Sequence, residues 1–343
     1  MNKWVIAIIA IVCIAAIAGA VLVTQQSSQT LTLRIGYQPS WHHVAEFIMV
    51  EKGWIQKVLG VQVKEYESPT GPAEMEAFAA GVLDIAYVGA TPPLPIIAKG
   101  AKAKIVAVVN TEGSSLVVRT DFNYTGPQSL IDARIGCYPP GSIQDTILKR
   151  WLIDKDIDLD KVEIIAQEPR AQLESLKAGA VDAILTPDPM PYIAVLEGYG
   201  KIAINSSQMW PHHPCCVVLM SEDFIKEHRD LAVKFIALHI IASEYATNPK
   251  NREEVKQILI NRLGIEEKVA DKFPGSTKYE TDPRNPAWLE GLDYMCQVHY
   301  QLGITKNPEG QVIRLNVSDV VDPSLYEEAL SLVPQIKAEL GLS

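Results

Sequence analysis

Two stretches of the chain carry the same succession of apolar and polar positions. Residues 75–93 read MEAFAAGVLDIAYVGATPP, and residues 173–191 read LESLKAGAVDAILTPDPMP. In each, apolar positions at helical spacing lead to a Gly, an Asp follows three residues later, and a short apolar run ends in a Pro-containing loop. Gly suits the left-handed cap that closes a helix. IAYV and AIL have the continuous apolar character of strands covered on both faces. The pattern predicts one unit, helix, turn and buried strand, used twice and hence two similar α/β halves. The loops beyond the two strands, through Gly89, Ala90 and Thr91 and through Thr186, Pro187 and Asp188, lie where open α/β sheets hold ligands.

The remaining pattern extends both halves. LTLRIGY (31–37) alternates as a strand and runs into QPSWHH; a helix over 44–51, a strand over 61–67 and another over 104–110 complete a β-α-β progression around the first repeat. A polar stretch at 120–127 reads as a crossover. ARIGCY then restarts the pattern, and Ser142 is placed to cap a helix, with Asp145 three residues on. VEIIAQ, the second repeat and KIAIN follow, and QMWPHHPCCVVLM reads as a second crossover. The last third predicts helices over 222–248, 251–263, 286–302 and 323–340. The expected architecture is bilobal α/β, with two mainly parallel sheets flanked by helices. Residues 31–120 and 217–343 form lobe I, and residues 121–216 form lobe II.

The N-terminus predicts export. After a single Lys3, residues 4–23 are uncharged and mostly aliphatic, long enough to span a bilayer as a helix; Ala18, Gly19 and Ala20 offer the alternative of signal-peptide cleavage. Residues 1–23 are therefore an anchor or signal peptide, and the polar 24–30 a linker. The protein is expected on the outer face of the cytoplasmic membrane, or free outside it if cleaved. A net charge of −10 over 343 residues, with no basic run, excludes nucleic acid as a partner. No phosphate-binding G-x-x-x-x-G-K-[ST] and no G-x-S-x-G occurs, so neither an ATPase nor a serine hydrolase is expected. One apolar span also excludes a multi-span permease. Beyond Cys13 the cysteines are Cys137, Cys215, Cys216 and Cys296, without a Cys-x-x-Cys frame.

RIGYQ at 34–38, GPAEMEAFAAGVLDIAYVGATPP at 71–93, PPGS at 139–142 and Asp188-Pro189 together resemble the solute-binding proteins of ABC transporters for aliphatic sulfonates, nitrate and taurine. That resemblance, over roughly residues 31–220, implies the type II periplasmic-binding fold and a binding rather than catalytic role. It also implies capture of a small anion for delivery to a permease and its ATPase by a monomeric, membrane-tethered protein without a cofactor. The candidate ligand-binding residues are Gln38, Trp41, His42, Gly89, Thr91, Ser142, Gln144, Asp188, Trp210 and His212. Neutral donors and helix N-termini can hold an oxyanion without Lys or Arg, and Trp41 and Trp210 are candidate apolar walls. Two alternatives stand beside this. SWHHVAEFI and PCC invite comparison with related proteins that bind a thiamine pyrimidine precursor, and His212, His213, Cys215 and Cys216 are a candidate metal set.

Overall fold

A computed structural model describes residues 30–342. The N-terminal apolar run and most of the linker lie outside those residues, and with them the expected anchor or signal peptide. Among the described residues no helix is long and apolar enough to cross a membrane. From Leu33 onward the described residues form one compact unit, which carries the strands of both sheets.

The first sheet is built from β1 (Thr32–Tyr37), β2 (Gln62–Glu67), β3 (Ile85–Gly89), β4 (Ala103–Glu112), β10 (Pro214–Ser221) and β11 (Thr277–Tyr279), in the order β11-β4-β10-β3-β1-β2. The second comprises β5 (Ser114–Arg119), β6 (Arg134–Cys137), β7 (Glu163–Ala166), β8 (Ala183–Pro187) and β9 (Gly200–Asn205), in the order β7-β6-β8-β5-β9. The two-sheet α/β architecture is as expected, but the strands are mixed in direction. β10 runs antiparallel to β3 and β4, and β5 antiparallel to β8 and β9. These are the strands by which the chain enters each sheet from the other, so they arrive against the direction of the repeat strands. The passages themselves lie at Gly113, between β4 and β5, and at residues 206–213, between β9 and β10. SSLVVR, which lies before the crossover expected at 120–127, is thus already a strand of the second sheet, and PCCVVLM is a strand of the first.

The duplicated unit has a physical basis beyond its helix and strand. Asp84 accepts from the backbone N–H and Nε of Arg34, whose Nη1 donates to the Gly81 carbonyl at 2.7 Å. Asp182 accepts in the same way from Arg134, whose Nη2 donates to the Gly179 carbonyl at 3.0 Å. Gly81 and Gly179 have φ of 73° and 72°, the left-handed conformation that costs a side chain most. Each Arg-Asp clamp fixes its first strand (β1 or β6) beside its repeat strand (β3 or β8), so the following loops emerge at equivalent sheet edges.

Helix Arg229–Thr247 packs against helices Val44–Glu51 and Ser324–Leu340, burying Phe235, Ile236, Leu238 and Ile240. The helix expected over 222–248 is broken at His228, whose φ of −136° and ψ of 44° are not helical. In the second half, Val117, Leu173, Leu176, Val181 and Ile184 form the core with Met190 and Ala194. Both cores leave the strand-end loops free to carry polar groups.

Candidate functional site

The loop after β1 turns sharply. The Ser40 hydroxyl accepts from the His42 N–H and donates to the Asp188 carbonyl at 2.6 Å. This joins the first repeat's half of the molecule to the second and starts a single 3-10 turn, Trp41–His43. His42 and His43 are both buried but differently engaged. The Nδ1 of His43 accepts the Gln38 N–H at 3.1 Å, and burial lowers its pKa to about 3, so it is neutral. The Nε2 of His42 faces the Gly113 carbonyl at 2.8 Å. A carbonyl only accepts, so Nε2 carries a proton and Nδ1 is the nitrogen left for other partners; against burial, the Cys215 thiol beside the ring raises the imidazole's pKa.

That nitrogen faces sulfur. His42 Nδ1 lies 3.6 Å from Cys215 Sγ and 3.6 Å from Cys216 Sγ, and the two sulfurs are 3.8 Å apart. Adjacent strand residues normally point to opposite faces. Here the pairing of β10 with β4 shifts register on both sides of Cys216, and such an irregularity re-aims side chains. The hydrogen bond from Cys216 and the neighbouring His42 ring hold the Cys215 thiol well below its ordinary range, against burial, while Cys216 is pushed up.

These groups line a small cavity between the strand ends of the two sheets, with Gln38, Ser40, His43, Gly71 and Gly89 of the first half. Tyr138, Ser142, Ile143, Gln144 and Pro187 supply the opposite wall. Its volume is about 20 Å³, room for little more than one water-sized centre. None of the lining residues is Lys, Arg, Asp or Glu. Ser142 caps helix Ile143–Asp154, accepting the Asp145 N–H at 3.3 Å, while the Asp145 carboxylate accepts the Gly141 N–H at 3.1 Å. The first turn of that helix therefore faces the cavity with its partial positive charge. Gln38 and Gln144 each donate one amide N–H backwards, to Glu74 at 2.6 Å and to the Ser114 hydroxyl at 3.1 Å; each amide retains a second N–H.

Of the ten candidate residues, the structure brings Gln38, His42, Gly89, Ser142 and Gln144 to the cavity wall. The other five lie elsewhere. Trp41 is a buried strut, its Nε1 donating to Thr277 at 3.2 Å and its ring packed on Tyr192 and Phe273. Trp210 lies under the Arg150 guanidinium and meets Tyr294 edge to face. Thr91 is buried behind the wall with its hydroxyl unpartnered. Asp188 directs Oδ2 at the N–H and hydroxyl of Ser276 and the hydroxyl of Thr277, and burial raises it to about 6. The His212 side chain is 83% exposed, because its φ of 56° turns it away from the chain's buried side. His212, His213, Cys215 and Cys216 are accordingly not one ligand set: His213 is occupied with the Pro214 carbonyl, and the cysteines meet His42 instead. Tyr138 was missed because nothing in its local pattern marks it, whereas Ser40 stood in a recognised loop.

The chain is 22% identical over 352 residues to the nitrate/nitrite binding protein NrtA of Nostoc sp., covering 92% of this chain and 80% of that one. It is 23% identical over 249 residues, 67% of its length, to the nitrate import ATP-binding protein NrtC of Synechocystis sp., but spans only 37% of that protein. Among solved structures, the periplasmic nitrate-binding protein NrtA from Synechocystis superposes with a TM-score of 0.77 at 17% identity, over 91% of both chains. The alkanesulfonate-binding protein SsuA from Xanthomonas axonopodis, bound to MOPS, gives 0.75 at 18%, over 86% of this chain and 99% of that one. The fold is thus that of periplasmic binding proteins. The profile of the NMT1-like family matches residues 26–260, more than half of the chain, and the protein belongs to that family.

Proposed function

We propose that the chain is the extracytoplasmic solute-binding component of an ABC importer, which closes its two halves around a small anion and delivers it to a permease driven by a partner ATPase. The carrying observation is the small cavity between the two halves, lined by neutral donors and a helix N-terminus and by no Lys, Arg, Asp or Glu side chain. Such a lining stabilises an anion through N–H dipoles. The likeness to nitrate- and sulfonate-binding proteins supports the reading. It also supports a binding rather than enzymatic role and an exported chain; tethering through residues 1–23 rests on their apolar sequence alone.

A space of about 20 Å³ favours an anion of a few heavy atoms, such as nitrate or bicarbonate, over a long sulfonate. Taurine is disfavoured further, since the carboxylate that would meet its ammonium, Asp188, is outside the cavity and bonded to Ser276 and Thr277. Trp41 and Trp210, the candidate apolar walls between which a pyrimidine could stack, are likewise outside it. Titration calorimetry of the full chain in detergent micelles, with nitrate, bicarbonate, taurine, ethanesulfonate and an aminopyrimidine, tests the assignment. Saturable heat with a small oxyanion, weakened about tenfold or more by Gln144→Ala, is the expected result; a lost charge-assisted hydrogen bond is worth about 1.5–3 kcal/mol. Absence of heat and of any thermal shift with every anion would overturn it.

A further inference from the structure

We propose that Nδ1 of His42 and the Sγ atoms of Cys215 and Cys216 form a three-ligand zinc site whose fourth coordination position opens on the cavity. All three side chains are buried, all three line the cavity, and their ligand atoms lie within 4.8 Å of one another. The separations carry more weight than the proximity. With Zn–S of about 2.3 Å and Zn–N of about 2.0 Å, tetrahedral angles place two sulfurs about 3.8 Å apart and each sulfur about 3.5 Å from the nitrogen. The observed distances are 3.8, 3.6 and 3.6 Å. A metal would therefore enter without rearrangement of its ligands.

The surroundings are those of a ligand set. His42 is held by its other nitrogen on a backbone carbonyl, the arrangement that orients metal-binding imidazoles and keeps the lone pair outward. The Gly113 carbonyl also accepts the Asp188 N–H at 2.9 Å, so its position is fixed from two sides. A side chain at Gly113 would place Cβ 2.5 Å from His42 Nε2, and its φ is 90°; only glycine leaves the ring where it is. β10 shifts register on both sides of Cys216, and the sulfurs of two consecutive residues lie equally close, at 3.6 Å, to one imidazole nitrogen. Two thiolates and a neutral imidazole suit zinc. On binding, Zn²⁺ displaces the thiol protons still present, which leave to solvent, and three Zn–ligand bonds form without redox change; affinity consequently falls as pH is lowered.

The test uses the full chain in micelles, reduced, stripped with a chelator and then dialysed against zinc. The expected result is one zinc per chain, with affinity lowered about 100-fold or more in Cys215→Ser/Cys216→Ser and unchanged in Cys296→Ser. Gly113→Ala, whose Cβ would press on His42 Nε2 and Thr277 Oγ1 without touching either sulfur, should lose about 10–100-fold. X-ray absorption on the zinc-loaded wild type reads the ligands without any variant, and should show two sulfurs, one imidazole nitrogen and one light atom. Zinc uptake by the double variant equal to wild type, a zinc shell without two sulfurs, or retention of copper(I) with no zinc would each overturn the proposal. Anion titration of the metal-free protein is read separately, so a failed zinc site and a failed solute-binding reading are distinguishable.

Discussion

Glu74 is wholly buried behind Gln38, with one carboxylate oxygen accepting the Gln38 amide and the other unpartnered. Burial pushes its pKa up to about 8 from 4.5, against the Gln38 hydrogen bond that lowers it. The folded protein therefore holds a proton that the unfolded chain releases above pH 4.5. The stabilising contribution is complete below that pH and is lost as pH rises through 8. At about 1.4 kcal/mol per pKa unit, the penalty reaches a few kcal/mol. Glu74→Gln removes the ionisation and keeps the acceptor for Gln38. Its melting temperature relative to wild type should climb between pH 5 and pH 9; a difference independent of pH would show that Glu74 does not titrate in this range.

At the scale of single elements, helix Ile143–Asp154 depends on Ser142 for its cap and presents its first turn to the cavity. Ser142→Ala should cost about 1 kcal/mol in denaturant unfolding and weaken anion binding several-fold. Equal stability with and without the hydroxyl would remove the cap argument. This cap was legible in the sequence because Ser followed by a polar residue three positions on precedes an apolar run. The repeat was legible for a similar reason, since Gly81, Asp84, Gly179 and Asp182 perform local, spacing-dependent work. The direction of β10 and the bulge at Cys216 were not legible: both depend on where β3 and β4 lie, roughly a hundred residues earlier in the chain. His212 and Cys215 were grouped because they are sequence neighbours, yet a left-handed residue at 212 and a register shift at 216 send them to opposite sides. The partner that the cysteines do meet, His42, is 173 residues from Cys215, beyond any local pattern.

Across the whole molecule, the halves touch where Gly89 meets Ile143. A Cβ on Gly89 would lie 2.8 Å from the Ile143 side chain, so Gly89→Val should hold the halves apart. Small-angle scattering is expected to show a larger radius of gyration for that variant, with anion binding lost and each half's secondary structure intact by circular dichroism. An unchanged radius would mean that the halves close despite the added bulk. Gly113 matters at this scale as well, because the peptide on which His42 rests is also the point where the chain first leaves one sheet for the other. Parting the halves by rotation there would swing the carbonyl that anchors the imidazole. Opening the molecule and loosening the sulfur-nitrogen grip would then be a single event. By reciprocity, any permease that favours the open form would lower zinc affinity by the same factor by which zinc opposes opening, making the metal a brake on the release of cargo.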